Sequence, residues 1–581
     1  KGYLIRLRDV GHAEIGAENE RRVARFKGRP AGAIGVVKQA TANALDVVNG
    51  VRTEMPRIEA ELPDGMRMEI AYDKTIYIRE SIKNVYVTIG EAIALVVLII
   101  FIFLRSLRAT IIPLVTIPVS LVGAFVLMYA FGFSINNLTL LAMVLAIGLV
   151  VDDAIVMLEN VFRHVEAGMP RYKAAMLGSK EIGFAIVTMT ITLAAVYAPV
   201  GFMTGTTGRL FNEFAWTLAG TVLVSGFVAL TLTPMMCSKL LVHKTRHGRL
   251  YNIIETVIQS NTTGYKTTLD WALRARPMVI LTGVGVAALG ALLFVNLKSE
   301  LAPVEDQGSI RGIFLAPEGS TIDYTQRYAK ELEEIFAAVP EIDRYFVISG
   351  FPTVSQGIGF VRLHHWGERD RKQQEITEEL VPKLYDITGL LAFPMNPPPL
   401  GQNTRSKPVQ LVIQTTRSYK ELEGMVDALM AEARDNPDFQ NVDTDLKLNK
   451  PQLKVEVNRD KLADVGIPIA TVGRTLETML GGRQVTRFKR EGEQYDVIVQ
   501  VADVDRTNPD DQTKIYVRGK DGQMIQLANL VTVEETVAPK ELNHFNQLRS
   551  GKITALVAPG YTLGEALDYL DEAAKRVLPA D

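Results

Sequence analysis

The sequence contains a single cysteine, Cys237, among its 581 residues. One cysteine in an apolar stretch excludes a disulfide framework and a thiolate metal site. The formal net charge is only −2, so nothing indicates a nucleic acid or another polyanionic partner. The chain begins at Lys1 without an initiator methionine or a signal peptide, and its last residues follow a helical pattern directly. We interpret it as a piece of a longer polypeptide.

Long apolar runs, by contrast, are abundant between residues 82 and 297. A bilayer core of roughly 30 Å requires about 20 apolar residues in a helix. Six segments reach that length: Ile82–Leu104, Ala109–Ala130, Leu138–Leu158, Ile182–Met203, Phe214–Leu241 and Met278–Leu297. Because so many successive segments reach spanning length, we predict membrane spans rather than buried helices of a soluble protein.

Basic residues in the connecting loops predict the orientation of these spans. The loops after the second and fourth spans contain only Arg209. The loops after the first, third and fifth spans contain Arg105, Arg108, Arg163, Arg171, Lys173, Lys180, Lys239, Lys244, Arg246, Arg249, Lys266, Arg274 and Arg276. The basic side is expected to be cytoplasmic. With an even number of spans, residues 1–81 and 298–581 are expected to share the opposite side and to face the periplasm or the exterior.

These two outer portions repeat a strand–helix–strand pattern. In the first copy we predict strands at Ala33–Val37 and Arg67–Ala71 and a helix at Ala42–Ile58. The pattern recurs over 310–348, 359–393 and 409–446 and restarts over 552–577, and Arg483–Val501 is expected to form a β-hairpin. The predicted fold class is an α-helical membrane bundle with α+β subdomains of the split βαβ, ferredoxin-like type.

The connection between the fifth and sixth spans has its own pattern. Apolar residues at helical spacing form one face, namely Leu250, Ile253, Ile254, Val257 and Ile258. With basic neighbours, this face is typical of a helix lying in the cytoplasmic membrane interface. A helix packed on the spans without a special role is an equally good interpretation.

Two adjacent carboxylates, Asp152 and Asp153, lie inside the third span. At 1.5 Å per residue, Asp152 is about 21 Å from Leu138, well inside the bilayer. Burial and a neighbouring negative charge both favour the protonated form of a carboxyl group, so the pair is a candidate proton relay. Adjacent helical residues point about 100° apart, so the two cannot face one small site. Gly148, one turn earlier, leaves room for another helix to approach.

The pair has three other possible interpretations. The aspartates could be hydrated near a helix end, but apolar residues continue to Leu158. A metal site lacks nearby histidines or further carboxylates. An intramembrane aspartyl protease needs two carboxylates that share one water, usually from two helices, and here both are neighbours on one helix. Glu159 and Asn160 are interpreted as marking the membrane interface.

The motif Gly148–Asn160, read GLVVDDAIVMLEN, resembles the fourth-helix motif of the resistance-nodulation-division (RND) superfamily, in its hydrophobe/amphiphile efflux branch. Further segments resemble the same branch: Ala198–Phe202, Gly205–Gly208, Leu232–Cys237, Leu301–Asp306, Thr475–Gly482 and Leu542–Asn546. The resemblance implies a homotrimer of twelve-helix subunits in the bacterial inner membrane, of which this chain would supply the second to seventh helices. It also implies a lysine partner for the aspartates on the tenth helix, a periplasmic adaptor and an outer-membrane channel.

The resemblance also implies a domain organisation. The expected parts are 1–81 as the end of a docking insertion and a porter subdomain, 82–241 as five transmembrane helices, 242–277 as the cytoplasmic interfacial amphipathic helix, 278–297 as the sixth transmembrane helix, 298–402 as a porter subdomain, 403–465 and 546–581 as a split porter subdomain, and 466–545 as a docking insertion.

The drug pocket of this branch is lined by phenylalanines. Positions that match by resemblance are Phe346, Phe351 and Phe360, next to a glycine-rich loop with Gly350, Gly357 and Gly359. Aromatic faces suit varied apolar ligands. The alternative is that Phe346 and Phe360 are ordinary strand-core residues. Thr353 stands where another aromatic is common in the family.

The leading functional hypothesis is therefore a proton-motive-force-driven drug/proton antiporter for hydrophobic or amphiphilic compounds. It would be a secondary transporter rather than an enzyme, and it would need no cofactor or metal. Export of an endogenous lipid or metabolite, or a non-transporting membrane scaffold, remain the alternatives.

Overall fold

The structure is a computed structural model that describes residues 4–40, 42–104, 106–242, 249–297, 302–398, 407–502, 508, 511, 514–558 and 560–579, with the backbone alone at 206 and 249–258. Arg105, Lys244, Arg246 and Leu301 lie outside the described residues. The chain divides into two compact units. The helical unit is Ile34–Leu297, and the sheet unit combines Lys1–Ala33 with Lys298–Asp581.

Helices dominate one unit and strands the other. The helices are α1 (Leu7–Val10), α2 (Ala44–Ala60), α3 (Thr75–Leu104), α4 (Leu107–Ala130), α5 (Asn137–Glu166), α6 (Arg171–Gly201), α7 (Gly205–Leu240), α8 (Arg249–Arg274), α9 (Arg276–Asn296), α10 (Ile322–Ala337), α11 (Gln373–Tyr385), α12 (Tyr419–Asp435), α13 (Arg459–Asp464), α14 (Ile469–Leu476) and α15 (Leu563–Val577). The strands are β1 (Val23–Phe26), β2 (Arg29–Pro30), β3 (Ser309–Leu315), β4 (Ile342–Ser349), β5 (Gln356–Leu363), β6 (Leu391–Met395), β7 (Val409–Thr415), β8 (Phe439–Thr444), β9 (Lys450–Val457), β10 (Arg483–Arg490), β11 (Glu493–Val499), β12 (Tyr516–Arg518), β13 (Met524–Gln526), β14 (Val531–Ala538), β15 (His544–Phe545) and β16 (Leu548–Val557).

Six helices of the helical unit, α3, α4, α5, α6, α7 and α9, are long and apolar enough to cross a membrane. They correspond to the six predicted spans, so six apolar helices of spanning length are confirmed among the described residues. α3 begins at Thr75, one to two turns before the predicted Ile82, and α5 continues to Glu166, beyond the predicted Leu158. Hydropathy marks only the part of a helix that the bilayer covers, so polar turns at the ends are missed.

A helix also forms between the fifth and sixth spans. α8 covers Arg249–Arg274, within the predicted 242–277. The side chains of the proposed apolar face, residues 250–258, lie outside the described residues. The position of α8 in the membrane interface stays a prediction.

The largest sheet of the sheet unit has six strands in the order β2-β1-β4-β5-β3-β6, with antiparallel neighbours. The segment β3–α10–β4–β5–α11–β6 supplies four of these strands, and both helices pack on one face. Phe314 of β3 and Phe336 of α10 are fully buried in this core. Each helix repeats the apolar spacing of a face turned to the sheet.

The described remainder of the sheet unit holds four further groups of strands. β7, β8, β15 and β16 form a second sheet with α12 and α15 against it, and β9 pairs with β14. β12 pairs with β13. The predicted hairpin forms as β10 and β11, with Gly492 in the turn at φ +88°. Only glycine adopts such an angle readily.

The prediction for the first strand–helix–strand copy is wrong. The structure has the helix α2, but residues 33–37 and 67–71 form no strand. Ile34 and Val37 are almost fully exposed, at 87% and 92%. Their β propensity has no partner strand to act on. The strand that does form near this end is β1, which pairs with β4.

Candidate functional site

Asp152 and Asp153 lie in the middle of α5 and have opposite environments. The Asp153 side chain is buried, with 1% of its surface exposed, whereas Asp152 is exposed. The difference follows from helix geometry, because adjacent residues point about 100° apart. Only one of the two can face the neighbouring helix.

The neighbour of Asp153 is α7. Buried residues of α5 at helical spacing, Ala142, Ala146 and Val150, pack with Leu218 of α7. Asp153 continues this face by one turn. Small side chains at these positions let the two helices approach closely, as is common within membranes.

One hydroxyl of α7 reaches the buried carboxylate. Ser225 Oγ lies 3.1 Å from Asp153 Oδ2 and 3.2 Å from the carbonyl oxygen of Val150, so it can donate to either acceptor. Asp153 Oδ1 is buried and has no hydrogen-bond partner among the residues that the structure describes. Within the same residues, no Lys, Arg or His forms an ion pair with Asp153.

Asp152 belongs to a different stripe of α5. Leu141, Leu145, Gly148 and Asp152 follow one another at intervals of three or four residues, and all are exposed. A Cβ built on Gly148 would meet nothing within 4 Å. The described helices therefore leave this stripe uncovered, with its one charge at Asp152.

The cytoplasmic end predicted for α5 holds a polar cluster that sequence reasoning missed. Asn160 is buried and donates to the carbonyl oxygen of Gly178, at 3.2 Å, and to Glu181 Oε2, at 2.9 Å. His164 Nε2 lies 2.9 Å from the same carboxylate oxygen. These bonds join α5 to α6. Glu159, in contrast, is exposed.

Two of the three predicted pocket phenylalanines come together in the sheet unit. Phe346 of β4 and Phe360 of β5 are directly opposite each other, with ring centroids 6.3 Å apart and planes inclined by 26°. Both lie on the face away from α10 and α11 and outside the helix-covered core. Phe351 lies in the loop after β4, where the guanidinium carbon of Arg22 is 5.4 Å from its ring centroid.

The glycine-rich segment is shorter as a loop than predicted. Gly350 follows β4 with φ +83°, but Gly357 and Gly359 lie inside β5. A Cβ on Gly357 would be 2.0 Å from the Phe314 ring, and one on Gly359 would be 3.1 Å from Phe336. These two glycines permit close packing against the helix-side core. They do not face the phenylalanine pair.

Comparison with known proteins gives one family over the whole chain. The model of the AcrB/AcrD/AcrF family matches residues 1–581. This chain belongs to the AcrB/AcrD/AcrF family. The resemblance to the RND superfamily, inferred from Gly148–Asn160 and the other motifs, is thereby confirmed.

Three individual proteins are similar to this chain along almost its full length. An uncharacterized transporter of Haemophilus influenzae is 36% identical over 576 residues, covering 99% of this chain and 56% of the relative. Multidrug resistance protein MdtC of Edwardsiella ictaluri is 33% identical over 579 residues, and MdtC of Yersinia enterocolitica is 32% identical over 580. Each of these covers 98% of this chain and 56% of the relative. The chain thus spans little more than half the length of these relatives.

Some residues of this AcrB/AcrD/AcrF-family chain could not be linked to a site from the sequence. Ser225 is one serine among many apolar residues of the fifth span, and nothing local pairs it with Asp153. Phe26 lies in β1 directly opposite Phe346. The signal that could have found Phe26 is the short alternation in Val23–Phe26, which basic neighbours obscure.

Proposed function

We propose that the chain is the part of an RND efflux pump that carries the proton relay, in a proton-motive-force-driven drug/proton antiporter. Its substrates would be hydrophobic or amphiphilic compounds taken from the periplasm or the inner membrane. Membership of the AcrB/AcrD/AcrF family supports transport. The observation that carries the proton coupling is the Asp153 carboxylate, buried in a predicted span with one hydroxyl donor and no described cation.

The physical basis is the cost of a charge in the membrane interior. A charged carboxylate at the centre of a span is unfavourable by about 3 kcal/mol or more unless it is paired. Binding a proton removes that charge and exchanges an acceptor for a donor at Asp153. The contact of α5 with α7 then differs between the two states. Such a two-state contact is what coupling of protons to helix movement requires.

The uncovered stripe of Asp152 suggests where the rest of the relay binds. A helix beyond the described residues is expected to pack over Gly148, where the absence of a side chain allows close approach. By family resemblance that helix would supply a lysine. A lysine beside Asp152 would favour the charged form of the carboxylates and so compete with protons for the pair. Proton binding at both aspartates would then depend on the position of that lysine.

The wider assembly follows from the same resemblance. The segment β3–α10–β4–β5–α11–β6 has the element order of a split βαβ porter subdomain, and loop charges favour a periplasmic position for it. We further propose a homotrimer in the bacterial inner membrane that works with a periplasmic adaptor and an outer-membrane channel. The phenylalanine pair Phe346 and Phe360, with Phe351 nearby, would form part of the substrate pocket.

The test uses the full-length pump in proteoliposomes with an imposed proton gradient. Asp152→Asn and Asp153→Asn should each abolish substrate-driven proton flux, because asparagine cannot exchange a proton. Glu159→Gln is the matched control, since it removes an exposed carboxylate from the same helix and should leave the flux unchanged. Unaltered flux in both aspartate variants would reject the antiport mechanism.

A further inference from the structure

Three buried hydroxyl residues of α7 are spaced one helical turn apart. Thr217, Thr221 and Ser225, here called the hydroxyl row, follow one another at intervals of four residues, and all three are buried. Glu213, four residues before Thr217, is half-buried and immediately precedes the fifth predicted span. Because four residues make about one turn, these side chains form one slowly winding line along α7.

The hydrogen bonds of the hydroxyl row are incomplete. Thr221 Oγ1 donates to the carbonyl oxygen of Thr217 at 2.6 Å, and Ser225 Oγ lies 3.1 Å from Asp153 Oδ2. Thr217 Oγ1 and Asp153 Oδ1, by contrast, are buried and have no hydrogen-bond partner among the residues that the structure describes. Buried polar atoms of this kind are commonly satisfied by internal water. Water is therefore the expected partner at both places.

The spacing of the hydroxyl row suits bridging water. Four residues of an α-helix rise about 6 Å. Two hydroxyl groups at that separation are too far apart for a direct hydrogen bond, but one water between them, with two bonds of about 2.8 Å each, covers the distance. Thr217 and Thr221 are thus placed to order a file of water. Such a file passes a proton by exchanging hydrogen bonds along its length.

Small side chains of α5 face this part of α7. Ala142 and Ala146 are buried and pack with Leu218, the residue after Thr217. Ala146 and Leu218 each lie seven residues before one partner of the Asp153–Ser225 contact, about 10 Å along their helices. A methyl group at this level fills little of the space that a water needs.

Glu213 lies at the outer end of the hydroxyl row. Asn136, the N-cap of α5, donates to Glu213 Oε2 at 2.6 Å, and Ser134 Oγ lies 3.4 Å from the same oxygen. Both partners are uncharged, and the nearest titratable residue along α7 is Arg209, one turn closer to the helix start. Loop charges predict that this end of α7 is the external one. Glu213 thus carries a carboxylate to the place where external water would meet the row.

We propose that this line is the external proton entrance of the relay, in which Glu213 collects protons and water ordered by Thr217 and Thr221 carries them onward. The inference rests on the proposed function and deepens it. External hydronium protonates the Glu213 carboxylate and leaves water. Glu213 then gives its proton to the file, each water accepts one proton and passes another on, and Asp153 Oδ1 accepts the last. Ser225 stays on Oδ2 and holds the carboxylate in place.

The first test asks whether external water reaches the row, and it does not depend on proton coupling. In the full-length pump, every native cysteine is replaced by alanine, Cys237 among them, and Thr217→Cys, Thr221→Cys or Thr231→Cys is introduced. Right-side-out membrane vesicles are exposed to Ag⁺, a small ion that enters water but not lipid, and the remaining thiol is measured after denaturation. Thr231 is the matched control, because it is exposed on α7 and donates to the carbonyl oxygen of Phe227 at 2.7 Å.

The thiols at positions 217 and 221 should be lost to external Ag⁺, and the thiol at position 231 should be retained. Equal reaction at all three positions, or reaction at none, would overturn the proposal.

The second test measures proton flux in proteoliposomes as a function of external pH. Glu213→Gln should raise the external proton concentration at half-maximal flux about tenfold and leave the maximal flux unchanged, because a collecting charge speeds only capture. Thr217→Val should lower the maximal flux about tenfold, the effect of one lost hydrogen bond in the file, and acid should not restore it. Thr217→Ser should retain the flux. Thr231→Val and Glu166→Gln, which removes an exposed carboxylate at the other end of α5, should behave as wild type.

Asp153→Asn keeps this inference separate from the antiport mechanism. Loss of flux in Asp153→Asn, with wild-type behaviour of Glu213→Gln and Thr217→Val, would retain antiport and reject the entrance. Reaction of the thiols at 217 and 221 alone, with unaltered flux in Asp153→Asn, would reject antiport and leave an external water route along the hydroxyl row.

Discussion

The sheet unit and the predicted spans treat their buried and half-buried carboxylates differently. In the sheet unit, Glu333 Oε1 and Oε2 each accept from Arg25 Nε at 3.0 Å, Asp306 pairs with Arg369 at 2.6 Å, and Glu318 pairs with Lys540 at 2.7 Å. In the predicted spans, Asp153 has a serine hydroxyl and no described cation. A buried pair is part of the packing. A buried carboxylate without a cation lowers the stability of the fold, so folding alone does not explain its presence.

The comparison therefore separates structural charges from functional ones. Removing one partner of a buried ion pair leaves an uncompensated charge and destabilises the fold. Removing an isolated buried charge removes a cost instead. Neutralising a carboxylate should thus have opposite effects on stability in the sheet unit and in the predicted spans, and only in the spans should it stop transport.

The largest expected effect is that of Asp153→Asn. Proton-coupled transport should fall to background, while the thermal midpoint of the purified full-length protein should be equal to or higher than that of wild type. Asparagine is similar in size and still accepts the Ser225 hydroxyl, but it does not bring a charge into the span. Thermal denaturation and proteoliposome flux on the same preparation check both statements. Loss of transport together with a lower thermal midpoint would contradict this prediction.

The next effect is expected at Arg369 in the sheet unit. Arg369→Met leaves Asp306 with its backbone donors but without its cation, and the free energy of unfolding should fall by about 3 kcal/mol. Trp366 reports this change, because its Nε1 donates to Asp306 at 3.1 Å. Fluorescence in a background that replaces every other tryptophan of the protein by phenylalanine, Trp216 and Trp271 among them, would isolate that signal. The double variant Asp306→Leu, Arg369→Met should recover part of the loss.

This pair also predicts a dependence on pH. Burial by itself would raise the pKa of Asp306, but hydrogen bonds from Arg369 and from the amides of Gln373 and Gly308 outweigh it, and its pKa lies below the usual 3.8. Its contribution to stability is present above about pH 4 and is lost as the pH falls through the lowered value. The difference between wild type and Arg369→Met should therefore shrink in acid. A difference that stayed constant to pH 2 would contradict this assignment.

Lys407 should give a smaller effect of the same sign, in a window at higher pH. Burial lowers its pKa to about 8 from the usual 10.5, against attraction from Asp443 and in line with repulsion from Lys447. The unfolded chain then binds a proton between pH 8 and 10.5 that the folded chain does not. Stability should rise with pH across that window by at most about 1.4 kcal/mol per pH unit. Lys407→Met should flatten the rise in Trp366 melting curves, and an unchanged slope would contradict it.

The smallest effect is expected at Ser225. Ser225→Ala removes one hydrogen bond to Asp153, worth about 1 kcal/mol, and leaves the carboxylate itself. Proton flux should fall less than tenfold and should be rescued by Ser225→Thr, which restores the hydroxyl. Ser238, also on α7 and half-buried, donates to the carbonyl oxygen of Met235 instead, and Ser238→Ala is the matched control. Complete loss of flux in Ser225→Ala would mean that the hydroxyl carries the proton itself.

Hydropathy and short motifs predicted the helical unit well, but they did not predict which strands of the sheet unit pair with each other. The six spans and the Asp152–Asp153 pair are each contained in about 20 consecutive residues, so hydropathy and one motif are sufficient. In the first sheet, the register of six strands, several of them far apart in the chain, decides which residues lie directly opposite one another: Arg29, Phe26, Phe346, Phe360, Arg311 and Met395. A shift of one residue would turn Phe346 or Arg311 to the other face. No local pattern specifies that register.

The error at residues 33–37 has the same origin. Ile34, Val36 and Val37 have strong β propensity, and the prediction assigned them a strand. The strand formed instead at Val23–Phe26, where β4 offers a free edge. Propensity describes a segment's own preference, whereas a strand also requires a partner.

The pairing of β1 with β4 makes the entire helical unit an insertion between two strands of one sheet. During synthesis, Val23–Phe26 leaves the ribosome long before Ile342–Ser349 exists. β1 must therefore wait without its partner β4, paired only with the short β2, while the described helices of Ile34–Leu297 are made. Closure of this sheet is a late event of biogenesis, and a chaperone or a slow translation step that protects the waiting strand would act in that interval.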